Sequence, residues 1–137
     1  MYRYAPLLDA ADASAKPCAR ANHAACASAV GDTMFVFGGE DAVDRMLDDL
    51  WALHVAADAP PRWQLLNELE AGVVVDHGRP QPCARTGAAI VSSPDGALWL
   101  FGGDAGARGG GRLNDMWRWP SGAVGRAWER VEMGAIF

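Results

Sequence analysis

The sequence predicts an all-β chain built from two copies of one four-stranded antiparallel unit. Two observations carry that prediction. The first is an internal repeat, the feature to seek before any other. Pro17-Cys18-Ala19-Arg20 returns as Pro82-Cys83-Ala84-Arg85, and Met34-Phe35-Val36-Phe37-Gly38-Gly39 returns as Leu98-Trp99-Leu100-Phe101-Gly102-Gly103. Leu47-Asp48-Asp49-Leu50-Trp51 returns as Leu113-Asn114-Asp115-Met116-Trp117, and Trp63 as Trp128. The second observation is the texture of each copy: short apolar or small-residue runs separated by turn residues.

The elements follow in order. Residues 22–30 are small and Ala-rich, and the Gly31-Asp32 pair closes them as a first strand. Alanine also favours helix, so residues 10–29 could compete as one by propensity. Pro17 interrupts that stretch, and aromatic strand residues follow the turn, which favours a hairpin. Residues 34–37 are apolar at every position, the mark of a strand buried on both faces. Gly38-Gly39 ends it. Residues 49–55 give the third strand, Ala59, Pro60 and Pro61 mark the next turn, and residues 63–66 give the fourth. The second copy reads the same way: strands over 87–92, 98–101, 115–119 and 128–132, with turns at 93–96 and near Pro120, Ser121 and Gly122.

Composition removes several classes of function. The chain has 137 residues, 50% hydrophobic and 21% charged, too apolar for a disordered segment. No run of apolar residues is long enough for a membrane-spanning helix, and the opening stretch has no apolar core that would serve as a secretory signal. A net charge of −5 argues against nucleic acid or an anionic membrane as the main partner. The three cysteines show no zinc-ligand spacing and are too few for a disulfide framework. They are expected to be buried or half-buried free thiols, consistent with the cytoplasm, though the nucleus fits too.

The landmarks resemble the kelch motif. An Arg and often a His open its first strand, an apolar second strand ends in Gly-Gly, an Asn-Asp-apolar-Trp run forms the third, and a lone Trp stands in the fourth. Arg20, His23, Gly38, Gly39, Asp48-Asp49-Leu50-Trp51 and Trp63 meet it in the first copy. Arg85, Gly102, Gly103, Asn114-Asp115-Met116-Trp117 and Trp128 meet it in the second, which departs at Ala88, where the His would sit. The resemblance implies two four-stranded blades of an incomplete β-propeller. Residues 1–16 are then the last strand of a preceding blade plus connector, 17–81 the first repeat with its connector, and 82–137 the second. Propellers carry about four to eight blades, so two blades do not close a ring. Further blades are expected from a longer chain or from copies of this one. Gly38, Gly39, Gly102 and Gly103 are expected as structural residues, and Trp51, Trp63, Trp117 and Trp128 as fillers of the wedge between blades.

In an up-and-down blade, the loop between strands two and three shares a side with the connector between blades. The long segments 8–16, 40–46, 67–81 and 104–112 therefore fall on one side, opposite the tight turns. Long loops on a rigid scaffold are where recognition usually lives. That side carries Asp9, Asp12, Glu40, Asp41, Asp44, Glu68, Glu70, Asp76 and Asp104 against Lys16, Arg45, Arg79, Arg108 and Arg112. Val73-Val74-Val75 reads as an extra short strand or an apolar contact. By the family analogy Arg20 and Arg85 open the innermost strands, either locking the blade onto a carboxylate or lining a pocket for acidic groups.

The binding candidates are thus Arg20, His23, Asp41, Asp44, Arg45, Arg85, Arg108 and Arg112, with a protein or peptide as partner. Residues 102–112 are glycine-rich but lack the Gly-Lys-Ser/Thr ending of a phosphate loop. No GxSxG occurs, and His23, His54 and His77 have no evident nucleophile beside them in sequence. The expectation is an interaction module with no cofactor and no catalysis. The alternative is part of a kelch-like enzyme, nitrile-specifier-like or of the galactose-oxidase-like copper type. A copper site of that kind would need tyrosine ligands, and Tyr2 and Tyr4 are the only tyrosines.

Overall fold

Alternation along each strand sorts the side chains onto two faces, and that sorting builds the molecule. The structure is a computed structural model that describes residues 16–67, 80–121 and 127–134. It holds two four-stranded antiparallel sheets, each with its strands in chain order. The first contains β1 (Ala24–Ala27), β2 (Thr33–Phe37), β3 (Leu50–Ala56) and β4 (Ala59–Leu65). The second contains β5 (Ala89–Ser92), β6 (Leu98–Asp104), β7 (Arg112–Trp119) and β8 (Glu129–Val131). The chain is all-β apart from one 3-10 turn at Ala107–Gly109.

Register makes the repeat exact in space. Phe37 pairs with Leu50 and Val36 with Trp51; in the second sheet Phe101 pairs with Met116 and Leu100 with Trp117. The sheets stack front to back. The first sheet presents Phe35, Phe37, Leu50 and Ala52, and the second meets them with Leu98, Leu100, Trp117, Trp119 and Trp128 in one shared core. Trp128 stands at the centre, its ring edge-on to Phe37 at 5.5 Å and to Trp119 at 5.4 Å. Neither sheet buries both faces alone, so stacking is where most of the hydrophobic stabilisation arises. Trp117 and Trp128 lie in this joint. Trp51 does not: it is buried on the opposite face of the first sheet, edge-on to Trp63 at 6.5 Å. That follows from the register, because Trp51 occupies the position of Trp117 and so points to the preceding side.

Several boundaries differ from the sequence reading. Ala59, Pro60 and Pro61 are not a turn; they belong to β4, and the two-residue turn is Ala57-Asp58. Two prolines fit because β4 is the outer edge of its sheet and the β3–β4 ladder shifts register there. Likewise β6 does not stop at Gly102-Gly103 but runs through them to Asp104, with a register shift after Phe101. Strand β1 is shorter than 22–30, β7 begins three residues early, and Trp128 precedes β8. The expected strand of a preceding blade, Val73-Val74-Val75, His77 and Gly122 lie outside the described residues. Cys26 is half-buried, with its thiol pushed up by burial, whereas Cys18 and Cys83 are exposed. Both stand in irregular segments ahead of the first strand of their sheet, with their side chains at the surface.

Candidate binding site on the long-loop side

The two Arg residues that open the repeats build the frame of this side. Arg20 Nη1 and Nη2 donate to Asp49 Oδ1 and Oδ2 at 2.6 and 2.9 Å, and Arg85 does the same to Asp115 at 2.6 and 2.9 Å. Each guanidinium also donates to a carbonyl of the Gly-Gly pair, Gly38 or Gly102, and to the carbonyl of its own Cys18 or Cys83. Trp51 Nε1 and Trp117 Nε1 donate to the same two carboxylates at 2.7 Å. Burial alone would push both carboxyls up. The hydrogen bonds from Arg and Trp and the Arg charge outweigh it, so Asp49 and Asp115 are held below the usual carboxylate range. Arg85 is 1% exposed, which leaves no face of it for a partner's carboxylate. Of the two readings of these arginines, the geometry is that of a lock within each blade.

The same segment ties the sheets together. Gly39 N donates to Arg85 O at 2.9 Å, Arg85 N to Leu47 O at 3.2 Å, and Gly87 N to Asn22 O at 2.8 Å. Gly38 has φ +66°, and a Cβ there would lie 2.7 Å from Arg85 O. Glycine is required at this point both for the left-handed backbone and for the close approach.

The two long loops rise beside each other from this frame. The ladder bridges Glu40 to Met46, and Asp41–Arg45 form a tight turn between them. Asp41 organises that turn: its Oδ1 accepts from Val43 N and Arg45 N, and its Oδ2 accepts from Arg45 Nε at 3.0 Å. The Arg45 backbone amide, helped by Val43 N and the Arg45 charge, holds the Asp41 carboxyl low. Asp44 sits at φ +61° with its side chain outward and exposed. In the second loop Asp104 Oδ1 accepts from Gly106 N, and Arg108 and Arg112 are exposed. The loops touch: a Cβ on Gly106 would meet Met46 Cε at 3.1 Å.

The structure thus gathers Asp44, Arg45, Arg108 and Arg112 as exposed charge on one side, while Asp41 faces its own backbone. His23 is exposed at the start of β1, with its Cβ and N beside the Gly39 backbone. His54 lies elsewhere, its Nε2 2.8 Å from Gln64 Oε1. Sequence reasoning missed the partners Asp49 and Asp115 and the Met46–Gly106 contact. The repeated Asp-apolar-Trp triplet was the signal for the first; nothing in the sequence marks the second. Among the described residues, no three of His, Cys, Asp and Glu converge as a metal centre would need, and no helix is long and apolar enough to cross a membrane. A family model described as the KLHDC2/KLHL20/DRC7 Kelch-repeats domain matches residues 9–135. No curated protein gives a significant match.

Proposed function

This chain belongs to the kelch-repeat family, and we propose that it is a protein-interaction module that takes a protein or peptide on its long-loop side. Kelch-repeat domains are generally interaction modules and typically non-enzymatic. The observation that supports the finer reading is the asymmetry of the two ends of the strands. One end has the two adjoining loops with exposed Asp44, Arg45, Arg108 and Arg112. The other has short turns at 29–32, 57–58 and 93–96, beside a longer β7–β8 connection over 120–128 that is described only at its ends. A rigid frame of Arg–Asp locks beneath mixed exposed charge suits selection of a partner by electrostatic complementarity. The partner is read as protein rather than nucleic acid, given the net charge of −5. The free thiols of Cys18, Cys26 and Cys83 are consistent with a reducing compartment, the cytoplasm or the nucleus.

The test is affinity capture with the wild-type chain and a variant carrying Asp44→Lys, Arg45→Glu, Arg108→Glu and Arg112→Glu. The wild type is expected to retain protein partners that the variant loses, at unchanged circular dichroism. Identical capture by both would end this reading.

A further inference from the structure

We propose that the cleft between the two sheets on the short-turn side takes a basic side chain, lysine or arginine, from a segment of a partner protein. This inference concerns the strand ends opposite the long loops and does not depend on what those loops bind. The cleft has a volume of about 280 Å³. The β1–β2 turn and the end of β3 wall it on one side and the β5–β6 turn on the other. Small-molecule and cofactor sites hold ~300–1,000 Å³, so this one is sized for a single long side chain. Val30 and Pro94, both exposed, stand on the two turns, and the buried Phe35 lines the cleft with them. That apolar lining suits the methylene stem of a basic residue, which covers apolar surface while its charged head finds polar partners.

Ser28, Thr33 and His54 supply polar groups to the cleft, and what they have left to offer is acceptors. Ser28 Oγ donates to Asp32 Oδ1 at 2.9 Å, and Thr33 Oγ1 donates to the same oxygen at 3.1 Å. Each hydroxyl has one proton, so only lone pairs remain to it. Asp32 Oδ2 takes no side-chain hydrogen bond among the described residues. The two hydroxyls, Ser28 first, hold the Asp32 carboxyl below the usual carboxylate range, so it stands beside the cleft as an anion. His54 Nε2 lies 2.8 Å from Gln64 Oε1, an oxygen that only accepts, which leaves Nδ1 of the neutral ring as an acceptor. An ammonium or guanidinium answers such a wall, since it carries donors and no acceptor. The charge of the turns agrees. Asp32, Asp58 and Asp95 are the ionisable residues of turns 29–32, 57–58 and 93–96, and none there is basic. Asp95 is already met by Arg118 at 3.7 Å, whereas none of the ion pairs among the described residues engages Asp32. Arg62 stands opposite His54 on β4, two strands across from Thr33.

Amide-shift titration of the full chain with blocked pentapeptides tests this, using Gly-Ala-Xaa-Ala-Gly with lysine, arginine, norleucine or glutamate at Xaa. The lysine and arginine peptides are expected to move the amides of Thr33, His54 and Gly96 in a saturable, salt-sensitive way. The norleucine and glutamate peptides should leave them unmoved. Asp32→Asn keeps an oxygen for Ser28 and Thr33 but removes the charge, and should weaken the lysine peptide about 2–5-fold, the range of an exposed ion pair. Asp95→Asn makes the same change on the equivalent turn and should leave binding unaltered. Val30→Lys sets a like charge at the exposed mouth of the cleft and should weaken binding by a similar factor, should Asp32→Asn misfold. Norleucine binding as tightly as lysine overturns the proposal, because the cleft would then read the stem alone. Equal weakening by Asp32→Asn and Asp95→Asn does so too, since binding would then follow the net charge of the chain. Shifts centred elsewhere, or none with any peptide, also end it.

Discussion

Arg85 grips Asp115 through two hydrogen bonds of 2.6 and 2.9 Å and so repeats, atom for atom, the grip of Arg20 on Asp49. The pair joins the segment ahead of β5 to the middle of β7, and the carbonyl of Gly102 takes a further bond from the same guanidinium. Removing the carboxylate would leave a buried cation without its counter-charge. Asp115→Ala is therefore expected to lose about 3–5 kcal/mol of stability. Asp49→Ala should lose less, because Asp49 is the more exposed of the two carboxylates. Urea unfolding of the two variants decides the order.

The same carboxyls set an acid limit. Both are held below their usual range in the folded chain. The unfolded chain, with ordinary Asp near pH ~3.9, binds more protons in the window below that value. The stabilisation is thus complete above about pH 4–5 and falls as pH drops through the lower folded values. Asp115→Asn should flatten that fall as well as lower the plateau. Urea midpoints between pH 2 and pH 7 would show it; a variant curve parallel to the wild type would contradict the assignment.

Gly38 tests the joint between the sheets. Gly38→Ala must hold a Cβ at φ +66° and also force it against Arg85 O. Gly31 is the control: its φ is +77°, but a Cβ there meets nothing within 4 Å. Both substitutions cost left-handed strain of about 1–2 kcal/mol. Gly38→Ala should cost about 1–3 kcal/mol more, the range for overpacking. Equal costs in denaturant unfolding would mean that Gly38 serves conformation alone.

Tryptophans at the joint separate packing from hydrogen bonding. Trp128→Ala should cost about 3–5 kcal/mol, as truncation of a large core aromatic does. The Nε1 of Trp128 is buried with no partner among the described residues, while that of Trp117 donates to Asp115. Trp117→Phe is therefore expected to destabilise more than Trp128→Phe, since only the former removes a bond to a carboxylate. Thermal melts of the two Phe variants settle the comparison.

The repeat was legible because its landmarks are the residues whose chemistry the backbone cannot do without. Gly38 and Gly102 allow the close turn, Arg20 and Arg85 satisfy it, and the paired aromatics fill the joint. The sorting onto two faces was not legible, because residues 34–37 and 98–101 are apolar at every position and only the register separates Phe37 from Val36. Less legible were the places where one residue type serves two ends. Pro60 and Pro61 read as a turn, yet an edge strand with a register shift needs no amide there. Asp41 and Asp44 look equivalent in a charged loop. The turn backbone separates them, aiming Asp41 at three of its own donors and Asp44 outward. The exposed face of the second sheet has the sequence of a core strand, and only its exposure distinguishes Phe101 from Phe37.

That separation of two aspartates yields the last prediction. Asp41→Asn retains an acceptor for Val43 N or Arg45 N but loses the charge that fixes Arg45. Loosening of the 41–45 turn should follow, seen as faster amide exchange at Val43 and Arg45, with partner binding weakened through a less ordered loop. Asp44→Lys leaves every hydrogen bond of the turn in place. Its effect should fall on partner association alone, about 2–10-fold and mainly in the on-rate, reduced further by salt. Amide exchange combined with stopped-flow or surface-based association rates separates the two variants. A change in exchange at Val43 caused by Asp44→Lys would show that the outward aspartate also holds the turn, and that its charge is not free for a partner.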